Sequence, residues 1–317
     1  MSGSIEKRRN PAGLKRGPIA RKVLAALEKE RRRRVIDFSA LKLGAERAEE
    51  LERGVISETD MREHDPLHAV YIYAQNKMSV IVEQVMDLPM CAELADAYSN
   101  AQEEYMPSGP PMSPLTTSYF FGWGVFDSAA GPAKETLGSV AIDLCRAIGT
   151  EPSLVRLFEH MQASRMGLYV HEGVDGSHVM LREFVTGTLH RCISPAGYMG
   201  SPGEIWFVRV LPEPYESLPM GYSLVFNTPY VIGRYHGQFA PADHGEWRAF
   251  LDRTIPKTGI PDAGEAYAHF LKYGLSRNYW NDYLMDSYVN HRHDMIMLAG
   301  IPDMPSSLPQ SRDRRAQ

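Results

Sequence analysis

Between Leu67 and Asp87 apolar side chains recur at intervals of three and four, at Val70, Tyr73, Ala74, Met78, Ile81, Val82 and Val85. That spacing predicts a long helix with one face turned to a core. Asp65 followed by Pro66 marks its start, an N-cap acceptor and a first-turn proline. Pro89 restarts a second helix to about Tyr105, which the run Met106 to Pro111 ends. Two more helices are predicted over Pro132 to Ile148 and Pro152 to Ser164. Before them, Phe38 to Arg53 reads as a charged helix with a sparse apolar set, Leu41, Leu43, Ala48 and Leu51.

At Arg165 the period changes. Apolar-rich runs joined by Asp175-Gly176, a dipeptide suited to a two-residue hairpin turn, and then around Thr186-Gly187 predict antiparallel strands. With Asp175-Gly176 as the loop, Val170 faces Leu181, His171 faces Met180 and Glu172 faces Val179. One face then carries Leu168, Val170, Val179 and Leu181, and the other Tyr169, His171, His178, Met180 and Arg182. The second hairpin places His190 opposite Glu183 and Arg191 opposite Arg182. Ser194 to Gly203 connects to a strand over Glu204 to Leu211, and Tyr222 to Ile232 gives another, broken near Pro229. Helices follow over Asp243 to Thr254 and Asp262 to Tyr273, with Gly274 as C-cap. Ser276 caps a helix with an aromatic stripe at Tyr279, Trp280, Tyr283 and Tyr288.

This order, helices then strands then helices, argues for an α+β fold, a mostly helical body carrying a small antiparallel β module with hairpins within about 165–232. The expected organisation is a basic disordered or helical arm over 1–34, a helical region over 35–164, the β module over 165–232, a C-terminal helical region over 233–301 packing on the same body, and a flexible tail over 302–317.

Composition places the 317 residues, 44% hydrophobic and 23% charged, among ordinary globular chains. No run approaches the roughly 18 apolar residues of a membrane span, and the N-terminus lacks the apolar segment of a secretory signal. A cytoplasmic protein with no membrane partner is expected. Cys91, Cys145 and Cys192 lie far apart without CxxC spacing, and read as small buried hydrophobes.

Charge adds what periodicity does not show. Residues 1–34 hold twelve Lys and Arg against three acids, a net of +9, which leaves −14 on residues 35–317. From Ile19 to Arg34 a short stripe, Val23, Leu24 and Leu27, precedes four consecutive arginines. Such an arm can neutralise phosphates by counterion release, independently of sequence. Arg8, Arg9, Lys15, Arg16, Arg31, Arg32, Arg33 and Arg34 are its candidate contacts to nucleic acid or an acidic partner. A solvated tail, or an arm folded onto the acidic body, is the structural alternative. No aromatic interrupts it, so stacking on bases has no support.

Catalytic signatures are absent: no GxGxxG, GxxxxGK[ST], GxSxG, HExxH or kinase set occurs. His171, His178 and His190 invite a metal reading, but the register above separates them. His64 and His68 straddle a helix cap. The remaining candidate is His291, His293 and Asp294, where an extended backbone would turn both imidazoles one way; Asp282 or Asp286 could add oxygen. The segment Ser118 to Asp127, SYFFGWGVFD, reads as buried core before ligand pocket. The sequence therefore points to a non-enzymatic binding or adaptor protein with no cofactor. The alternative is a metal-dependent hydrolase, with a divalent metal at His291 and His293.

Overall fold

The computed structural model describes residues 16–33, 62–106, 116–215, 219–235, 239–274 and 296–298. Helix α1 covers Pro18–Arg33. Helix α2, Pro66–Met86, starts where expected: Asp65 Oδ1 accepts from the amides of Leu67 at 2.9 Å and His68 at 3.4 Å. Its buried stripe is Leu67, Ala69, Tyr71, Ala74, Met78, Val82 and Val85. Tyr71 therefore takes the place foreseen for Tyr73, and its hydroxyl donates to the Pro212 carbonyl at 2.7 Å. A short 3₁₀ turn over Pro89–Cys91 leads into α3, Ala92–Tyr105.

Helix α4, Thr117–Gly122, runs without a break into a π-helical turn over Trp123–Asp127. Helix α5 spans Leu137–Ile148 and begins five residues later than Pro132 suggests. Gly131, at φ 66°, and Lys134 close a tight turn there, flanked by an Ala130–Glu135 bridge, and a Thr136–Ser139 capping box opens the helix. Helix α6 covers Pro152–Ala163. These helices share one apolar cluster, in which Ala20 and Val23 of α1 pack with Met78, Val82, Val140, Cys145, Phe158 and Met161.

The strands are β1 Met166–Asp175, β2 His178–Glu183, β3 Leu189–Ile193, β4 Ile205–Leu211, β5 Ser223–Val225, β6 Tyr230–Tyr235, β7 Phe239–Pro241 and β8 Ile296–Leu298. The α+β class holds, but the sheet is more than a set of hairpins. The path β1-β2-β3-β5-β4 returns to β1 through the β1–β4 pairing, and β3 and β5 run parallel. The five strands thus close a mixed barrel, with the connectivity of a five-stranded Greek-key barrel of OB type. Strand β6 leaves it from β4 and carries β7 on one edge and β8 on the other, which takes the sheet beyond residue 232.

The expected hairpin registers are corrected. The loop of β1–β2 is Gly176-Ser177, with Asp175 paired to His178 and Gly176 at φ 62°. A bulge between His171 and Gly173 then reverses the parity of everything before it. Tyr169 and His171 accordingly share the barrel interior with Val179, Leu181, Cys192, Trp206 and Val208, while Leu168 joins the outer face. In the second hairpin Arg182 pairs with Leu189 and Leu181 with His190, so Arg182 and Arg191 are diagonal neighbours rather than opposed.

Outside the barrel, Leu168, Ile205, Phe207, Tyr230 and Ile232 pack against the aromatic α4 segment and two further helices. These are α7, His244–Thr254, and α8, Ala263–Tyr273, joined through a 3₁₀ turn over Ile255–Thr258. Leu211 and Leu224 meet the first helical cluster on another side. The segment 118–127 is core, as expected: Tyr119, Phe120, Phe121, Trp123 and Phe126 are all buried. Among the described residues no helix is long and apolar enough to cross a membrane.

Candidate functional site

The basic N-terminal segment is fixed to the body at its first turn. Pro18 opens α1, and the free amides behind it are capped from afar: Glu135 Oε2 accepts from Ile19 N at 2.9 Å and Oε1 from Ala20 N at 2.8 Å. A buried carboxylate at the positive end of a helix satisfies two orphan donors and complements the dipole. Gly17 makes this approach possible, because a Cβ there would lie 2.1 Å from Glu135 Cδ. Ala20 and Val23 bury the apolar side, and the solvent side carries Arg21, Lys22, Ala25, Glu28 and Lys29. Arg21 Nε donates to the Gly17 carbonyl at 3.3 Å.

Of the expected contacts, Arg16 is exposed just before α1, and the helical backbone continues through Arg31, Arg32 and Arg33. Arg8, Arg9, Lys15 and Arg34 lie outside the described residues. Arg21, Lys22 and Lys29 were not singled out by sequence. The arginine run draws attention by density, whereas these three become a surface only once Val23 is known to face inward.

Beside the start of α1 lies a cleft of about 630 Å³ between the 131–135 turn, α5, α6 and α8, lined in part by Arg16, Glu135, Arg146, Lys134, Lys272 and Tyr273. Lys134 holds φ 50°, the one non-glycine with positive φ among the described residues. Its ammonium lies 2.6 Å from His269 Nε2 and 4.3 Å from the Tyr273 ring centroid. The imidazole accepts there, which leaves the proton on Nδ1, a buried atom with no hydrogen-bond partner among the described residues. Burial lowers the pKa of Lys134, and burial together with Lys134 lowers that of His269.

Behind the cleft is a buried charge network. The π turn delivers Asp127 to the Arg209 guanidinium, which also donates to Ser164 O and Oγ, both at 3.0 Å. Lys272 Nζ donates to the carbonyls of Gln162 and of Ser164, the latter at 3.2 Å, and sits 3.7 Å from Asp127 Oδ1. Burial pulls the Lys272 pKa down to about 8, against the opposing pull of Asp127. A lysine so placed can serve as a charge or as a base near neutral pH.

The histidines among the described residues do not form a metal centre. His171 points inward, receives the Gly173 amide on Nδ1 at 3.2 Å and donates from Nε2 to Met199 O at 2.8 Å. His190 meets Tyr169 edge to face with centroids 5.7 Å apart, and His178 stands outside against Tyr222 at 5.0 Å. The bulge thus brings His171 and His190 to one face, contrary to the expected register, and excludes His178. His64 and His68 meet edge to face, with ring centroids 5.1 Å apart. Among the described residues no group of three or more His, Cys, Asp and Glu is placed to hold a metal ion. His291, His293 and Asp294, with Asp282 and Asp286, fall outside the described residues.

No family model, no curated protein and no solved structure matches this chain.

Proposed function

We propose that the protein is a binding module for polyanions, with nucleic acid as the partner and α1 as the contact surface. The observation that supports this is the mounting of α1. Its apolar side and first turn are held by Val23, Ala20 and Glu135, and its cations Arg21, Lys22 and Lys29 are left in solvent. A helix fixed in this way presents positive charge in a set geometry instead of on a loose tail, which lowers the ordering cost of binding. Phosphate neutralisation along such a face is independent of sequence and strongly dependent on salt. The outer face of β2 and β3, which OB-type barrels use for oligonucleotides, is the weaker candidate. Its Arg182 is paired with Glu172 and its Arg191 with Asp175.

A cytoplasmic setting belongs to this proposal, and three buried free cysteines agree with a reducing compartment. A metal-dependent reading at His291, His293 and Asp294 gains no supporting observation.

The test compares duplex DNA and RNA binding by the full chain with that of a variant carrying Arg21→Gln, Lys22→Gln and Lys29→Gln. Deleting the segment is unsuitable, because Ala20 and Val23 belong to the core. The variant should bind more weakly, and its salt slope on duplex DNA should fall by about 0.9 for each phosphate it no longer neutralises. An unchanged slope excludes α1. Displacement of nothing but an acidic polypeptide would replace nucleic acid by a protein partner.

A further inference from the structure

We propose that the cleft beside α1 is a binding site for a small phosphate monoester, gripped by Lys134 and Arg16 at its mouth with Lys272 at its inner wall. This site is independent of the polyanion surface on α1.

Charge pairing inside the cleft carries the inference. Three carboxylates among the described residues line it: Glu135 accepts from the amides of Ile19 and Ala20, and Asp143 and Glu159 both pair with Arg146, at 3.0 and 2.7 Å. No carboxylate among the described residues pairs with Arg16 or Lys134. The lining holds four cations, Arg16, Lys134, Arg146 and Lys272, against three carboxylates among the described residues, a net of +1 that favours an anion, and a phosphate monoester carries about −1.5 to −2 at neutral pH. At about 630 Å³ the cleft has room for more than inorganic phosphate, and Ala20, Pro132, Ala133 and Ile142 give it apolar walls for an organic body.

Lys134 is also held ready. A left-handed backbone at a lysine is strained, and such strain persists where the surroundings enforce it. Here the side chain is stacked over Tyr273 and bonded to His269, so its ammonium is directed before any ligand arrives. Both supports come from α8, the helix that also supplies Lys272.

The experiment titrates the full chain with phenyl phosphate, inorganic phosphate and phthalate by calorimetry. It uses the wild type, Lys134→Met, Arg16→Gln, the exposed control Lys257→Met, and the α1 variant above, each checked by thermal melting. Phenyl phosphate should bind one to one and more tightly than inorganic phosphate. Lys134→Met should weaken it by about tenfold or more, as expected when a charge-assisted hydrogen bond is removed. Arg16→Gln should weaken it by severalfold, and Lys257→Met and the α1 variant should leave it unchanged. No binding of phenyl phosphate, or equal losses in Lys134→Met and Lys257→Met, overturns the site. Phthalate bound as tightly with the same dependence on Lys134 overturns the phosphate assignment.

Discussion

Glu135 reaches across the chain to hold the amide of Ala20, 2.8 Å from its Oε1, and this contact turns a cationic segment into part of the folded body. The carboxylate is buried, at 5% exposure, and faces the positive end of the helix it caps. Glu135→Gln should cost about 1–2 kcal/mol, since it removes the charge and replaces one acceptor by a donor. Gly17→Ala should act in the same direction by forcing the carboxylate away. Urea unfolding measures the destabilisation, and faster tryptic cleavage after Arg21 and Lys22 locates it. Cleavage rates equal to wild type in both variants would contradict the docking.

The β1 bulge predicts a second effect. Gly173 sits at φ 132°, a conformation a side chain resists although nothing lies within 4 Å of its Cβ position. Gly173→Ala should destabilise by about 1 kcal/mol or more through the backbone alone. His171→Phe removes the acceptor for the Gly173 amide and the donor to Met199, and should cost a similar amount. If neither substitution moves the urea midpoint, the bulge does not set the register.

Arg209 and Asp127 are both nearly inaccessible, with side chains 3% and 1% exposed. Arg209→Met leaves a buried carboxylate with Lys272 as its one counter-charge among the described residues, and should destabilise by about 3–5 kcal/mol. Adding Asp127→Leu should recover part of that deficit, because the unpaired charge goes with it. A double variant no more stable than the single one would show that packing, not charge, dominates there.

Lys272 predicts how stability responds to pH. Its folded pKa of about 8 lies below the ordinary lysine value of 10.5, so between these limits the unfolded chain binds more protons than the folded one. Stability attributable to this group therefore rises with pH through that window and is lowest below it, by at most roughly 1.4 kcal/mol per pH unit. Unfolding of wild type and Lys272→Met between pH 7 and 9.5 should show the wild type gaining relative to the variant. Parallel curves would sink the assignment.

The helices were legible because their evidence is local. Asp65-Pro66 names a start, and the spacing of Ala74, Met78, Val82 and Val85 names a face. Proline was a poorer guide at Pro132, where a turn came before the helix. The barrel was not legible, because its closing pairs, Met166 with Arg209 and Cys192 with Ser223, join segments whose own patterns carry no record of their neighbours. A single extra residue at the bulge then exchanged the faces of Val170 and His171. Asp127 and Arg209 stand 82 residues apart, and each alone reads as a surface charge. The cleft escaped notice for the same reason, since Arg16, Lys134 and Lys272 come from three distant elements.

The capping of α1 by Glu135 also fixes an order of events during synthesis. The amide of Ala20 and the carboxylate that receives it are 115 residues apart, so at about 5–20 residues per second the ribosome takes roughly 6–23 s to supply the acceptor. Throughout that interval the first turn of α1 lacks its acceptor, and its apolar stripe lacks Val140, Cys145, Phe158 and Met161, the later side chains that cover it in the folded protein.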